Sequence, residues 1–94
     1  MANEVIDKQK LKITMMTAVS QALSYKEANK TADSDTVLKH IMENFNESGT
    51  SKMAGIAAVS KAMEYKERKT FRTDKEIIQQ VMKDSDAIID DMSQ

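Results

Sequence analysis

The feature that most constrains this chain is an internal correspondence at a spacing of 40 residues. Setting residues 18–45 against 58–85 without gaps makes eight of the 28 pairs identical: Ala18/Ala58, Val19/Val59, Ser20/Ser60, Ala22/Ala62, Tyr25/Tyr65, Lys26/Lys66, Glu27/Glu67 and Met42/Met82. Average composition predicts about two such identities. Four further pairs exchange one aliphatic side chain for another: Leu23/Met63, Val37/Ile77, Leu38/Ile78 and Ile41/Val81. Lys12/Lys52 extends the match upstream. Two amphipathic helices resemble each other by necessity, but helical patterning does not require Tyr-Lys-Glu to recur in register. The reading is therefore a structural repeat, with copies at about 12–45 and 52–85 and an acidic end at 86–94. Stacked repeats need three or more copies to bury a continuous core. Two copies predict instead one compact domain over 1–94, built from two related helical hairpins.

Periodicity assigns the elements. Ile77, Ile78, Val81, Met82, Ser85, Ile88, Ile89 and Met92 follow 3.6-residue spacing behind Thr73, with Glu76 three residues on as in a capping box. This predicts a helix over 74–92. Val37, Leu38, Ile41, Met42 and Phe45 repeat the pattern behind Asp33 or Ser34, for a helix over 34–45. Residues 46–50 read as a loop in which Gly49 is free to take positive φ. Longer helices are expected over 4–29 and 51–69. No segment alternates β-branched and polar residues as a strand would. The expected class is all-α, four helices in one bundle.

Composition narrows the function. There is no Cys, so there is no thiol nucleophile, Cys-ligated metal or disulfide. Fourteen basic residues face fifteen acidic ones, a balance that argues against coating nucleic acid by bulk charge. The longest uncharged run, Ile13 to Tyr25, is thirteen residues, short of the ~20 that span a bilayer. Residues 1–12 lack the apolar core of a signal peptide. The expectation is a cytoplasmic chain without membrane contact. His40, the single histidine, falls off the apolar stripe and is expected in solvent. The run from Asn44 to Gly49 resembles half of a calcium loop, but Gly55 stands where the bidentate Glu belongs. No catalytic, cofactor or metal constellation emerges, and the chain is not expected to be an enzyme.

The helix faces point to interactions. Ala18 and Ala22, matched by Ala54, Ala58 and Ala62, remove the side-chain ridge and predict a close crossing of the two long helices, with Ser20 and Ser60 near the seam. Tyr25 and Tyr65 are expected to bury their rings and leave their hydroxyls wet. Seven internal methionines occupy apolar helical positions and read as core. An uncharged stretch this long means that its helix either is central in the bundle or also lies in a subunit interface, and the second reading makes Met15, Met16, Val19, Leu23 and Tyr25 the candidate interface of a homo-oligomer or a protein partner. The alternative is a small nucleic-acid-binding protein using the basic segment 61–75, with Lys66, Arg68, Lys69 and Arg72 as candidate phosphate contacts. Asp90 and Asp91 oppose the dipole of their own helix and call for a basic partner in that segment, of the same chain or another.

Overall fold

The computed structural model describes residues 8–92, and residues 4–7 of the expected first helix lie outside them. Four helices follow in order: α1 (Lys8–Ala28), α2 (Ser34–Asn44), α3 (Gly49–Glu67) and α4 (Asp74–Met92). Among the described residues there is no strand.

Local chemistry sets the boundaries. Asp33 caps α2 by accepting from the Thr36 amide at 2.8 Å. Thr73 does the same for α4, accepting from the Glu76 amide at 3.2 Å. The Glu76 carboxylate accepts from the Arg72 amide, one residue before the position a capping box uses. α2 stops at Asn44 because Phe45 turns extended and sends its ring into the core. α3 begins two residues earlier than expected, at Gly49, whose φ of 61° is the left-handed conformation that favours glycine. It also ends two residues earlier. Lys69 adopts a left-handed φ of 54°, and the Thr70 and Lys69 amides turn back to the Tyr65 and Lys66 carbonyls, closing a Schellman motif.

The most extensive contact joins α1 to α3. Ala18, Ala22, Ala54, Ala58 and Ala62 are all fully buried there, as the alanine spacing predicts. Gly55 lies in the same seam: a Cβ added to it would come within 3.2 Å of the Ala18 Cβ and 2.8 Å of the Phe45 ring. α2 and α4 each pack against both long helices and do not touch each other. α2 makes more contact with α3 than with α1, the helix it follows. Each second helix thus straddles the crossing and adds the large side chains that alanines cannot, namely Val37 and Ile41 from α2 and Ile77, Val81 and Ile89 from α4. Ser85 is buried among them, with its hydroxyl donated to the Met82 carbonyl at 2.6 Å.

Three sequence expectations change. Met42, Met53 and Met82 are not core but more than half exposed. Ser20 and Ser60 are exposed rather than near the seam. The acidic end of α4 does not reach residues 66–72. Asp86 pairs with Lys12 at 3.0 Å and Asp90 with Lys8 at 3.5 Å, because the end of α4 lies beside the start of α1. Lys12, by hydrogen bond and charge, holds the Asp86 carboxyl below its ordinary range.

Two substitutions test the packing. Gly55→Ala gains about 1 kcal/mol of helix propensity but overpacks the Phe45 ring and, behind it, the Ala18 contact, at about 1–3 kcal/mol. Urea denaturation should show a net loss; a more stable variant would mean that the α1–α3 contact is loose. Lys69→Gly relieves the left-handed backbone and should raise stability by about 0.5–1 kcal/mol in the same assay.

Candidate functional site

The conspicuous surface is apolar and occurs twice. One groove runs between α1 and α4, lined by Lys12, Ile13, Met16, Thr17 and Ser20 with Met82 opposite. The other runs between α3 and α2, lined by Lys52, Met53, Ile56, Ala57 and Ser60 with Met42 and Leu38 opposite. Leu38 aside, these positions lie forty apart residue by residue. The grooves measure about 560 and 570 Å³. Ile13 and Met53 are 61% and 63% exposed, and Met42 and Met82 are each 52% exposed. Side chains of that size left open to water in two matching places are not required by the core.

The residues expected to form an interface divide. Met15, Val19 and Leu23 lie inside the chain's own core and are closed to any partner. The reason is that α1 has three helix neighbours, so its uncharged length is covered mostly from within. Met16 is half-buried on the floor of the first groove. Tyr25 is half-buried and stacks on His40, with ring centroids 3.9 Å apart and planes at 16°. His40 is therefore packed against a ring rather than free in solvent. Among α1 residues, sequence reasoning missed Ile13 as the exposed apolar one; its place three before Met16 and seven before Ser20 marks their face.

Both copies of Tyr-Lys-Glu sit where a long helix ends. Lys26 donates to the Lys30 carbonyl at 2.9 Å and to the Ala32 carbonyl, tying down the α1–α2 connection. Lys66 binds Asp74 at 2.8 Å, tying down the α3–α4 connection. Glu67 accepts from the Ser34 hydroxyl. Tyr65 packs edge-on against Phe71, at 5.3 Å between centroids, and donates its hydroxyl to Asp84. That hydroxyl is thus bonded rather than left to water.

The candidate phosphate contacts are partly occupied by acids. Lys66 faces Asp74, and Arg68 lies 3.8 Å from Glu64. Lys69 and Arg72 are exposed on the loop after α3. Among the described residues no three acidic, His or Cys side chains are grouped to hold a metal, and no helix is long and apolar enough to cross a membrane.

Burial, and then the bond donated to Asp84, push the Tyr65 hydroxyl up to about 12. The folded state therefore keeps a proton that the unfolded state loses near pH 10. Tyr65 contributes stability below that pH, and the contribution is lost as pH rises from about 10 to about 12. Alkaline denaturation over that range should be less steep in Tyr65→Phe; an identical slope would mean that neither burial nor Asp84 raises the hydroxyl. Comparison of the chain with family models, with curated proteins and with solved structures gives no match.

Proposed function

We propose that this chain is a non-enzymatic helical interaction module that associates with copies of itself. The observation that carries the reading is the grouped exposure of Ile13, Met42, Met53 and Met82. Scattered apolar residues are ordinary on a surface, but grouped ones in grooves between helices mark contact sites. Methionine suits such a site because its unbranched thioether adapts to the surface it meets.

We infer also that the two halves are copies of one 40-residue unit. Supporting this, Met16/Ile56, Val19/Val59, Tyr25/Tyr65, Val37/Ile77, Leu38/Ile78 and Ile41/Val81 fall in the same burial class pair by pair. The caps Asp33 and Thr73 also act forty residues apart.

Light scattering across a concentration series tests the association. The expected result is a mass above that of one chain, rising with concentration and persisting in high salt, since apolar burial is not screened. A single-chain mass at every concentration would reject the reading.

A further inference from the structure

The fold sorts the methionines by access to water. Met15 and Met63 are closed in the core, and Met16 and Met92 are half-buried against it. Met42, Met53 and Met82 stand open along the grooves, at 52%, 63% and 52% exposure. None of these three belongs to the core or packs on it.

A hydrocarbon side chain would serve at such positions if apolar area were all they required. Elsewhere at the forty-residue spacing the halves exchange one aliphatic residue for another, as in Val37/Ile77, Leu38/Ile78 and Ile41/Val81. Met42 and Met82 are instead the same residue, exposed to the same extent. What methionine has and leucine or isoleucine lacks is a polarizable thioether sulfur open to oxidation. The chain has no cysteine to intercept an oxidant first. Met42, Met53 and Met82 are therefore the exposed thioethers among the described residues.

We propose that these three methionines are sites of reversible oxidation by a peroxide, and that oxygen added there turns the grooves polar while leaving the fold intact. The sulfur lone pair attacks one peroxide oxygen, an S–O bond forms and the O–O bond breaks. Sulfur loses two electrons and the peroxide gains them. The proton on the transferred oxygen passes to the departing hydroxide, which leaves as water. The product sulfoxide is polar and chiral where the thioether was apolar and flexible. Methionine sulfoxide reductases, one for each epimer, return it to the thioether, with thiols supplying the two electrons. The α3–α2 groove holds two of the sites, Met42 and Met53. The α1–α4 groove holds only Met82, because Ile13 stands forty residues before Met53. Resting on the self-association proposed above, oxidation acts on chains whose grooves are uncovered and weakens their assembly.

Peptide mass mapping after timed exposure to hydrogen peroxide tests the sites independently of assembly. In the dilute folded chain, Met42, Met53 and Met82 should each take up oxygen several-fold faster than Met15 and Met63. In urea all five should react alike. Equal rates in the folded chain overturn the proposal. Circular dichroism of the oxidised chain should show unchanged helix content; a loss that follows oxygen uptake at the three sites overturns it as well. Treatment with both reductases and dithiothreitol should restore the thioethers, and sulfoxide persisting at these positions refutes reversibility. Sedimentation then compares the unaltered chain, the oxidised chain and a peroxide-treated variant carrying Met42→Leu, Met53→Leu and Met82→Leu. The oxidised chain should associate several-fold more weakly, and the treated variant as strongly as the unaltered chain. Equal association of oxidised and unaltered chains overturns the consequence for assembly. An unaltered chain that is monomeric throughout overturns self-association itself, while the mapped sites stand.

Discussion

The close approach of α1 and α3 through small residues decides the rest of the structure. With Ala18, Ala22, Ala54, Ala58, Ala62 and Gly55 in the seam, backbones rather than side-chain ridges meet. Such a contact buries little apolar volume by itself. The large residues of the core must be brought from elsewhere, and α2 and α4 bring them from the two sides of the crossing. This is why neither α2 nor α4 simply folds back on its predecessor. A helix lying only against α1 would leave one flank of the seam uncovered. The price of the arrangement is that the backs of α1 and α3 are only half covered, and the grooves lie there.

The sequence made the elements legible and misplaced some of their surfaces, for one physical cause. α2 and α4 each meet the rest of the molecule with one side, so a single stripe such as Ile77, Val81 and Ile89 identifies what is buried. α1 and α3 each meet three other helices. Their apolar residues run around the helix, and no periodicity separates the side that is covered within the chain from the side left open. Met15 and Val19 were therefore indistinguishable from Ile13, although the first two are fully buried and the third is 61% exposed. The partner of the acidic tail was missed for a related reason. Pairing Asp86 with Lys12 requires knowing that the end of α4 lies beside the start of α1, and sequence spacing holds no such information.

The two halves also differ where their cores must differ. Phe45 fills the space above Gly55, while the positions forty residues away hold Ser85 and Met15, both fully buried. The large and the small residue have changed places between the two pairs of positions, a volume-conserving exchange of the kind cores tolerate. If the halves are copies, they have drifted apart by repacking while keeping the crossing. The longer α4 gives Lys12 an acidic neighbour in Asp86, and the position forty before Asp86 is the neutral Asn46.

Seven of the eight positions identical between the halves, all but Glu27/Glu67, separate into three groups. Ala18/Ala58, Val19/Val59 and Ala22/Ala62 are fully buried, and packing accounts for them. Lys26 and Lys66 tether the connection after their helices, and Tyr25 and Tyr65 seat rings against neighbours, so architecture accounts for these. Ser20/Ser60 and Met42/Met82 belong to neither group. They are exposed, they fill no core space, and they line the two grooves. Folding places little demand on such positions, and substitutions there shift stability by only a few tenths of a kcal/mol, roughly ±0.5. Identity at exposed methionines is thus the part of the internal correspondence that packing does not explain. The proposed self-association would account for it, because two grooves with the same task would have to meet the same surface.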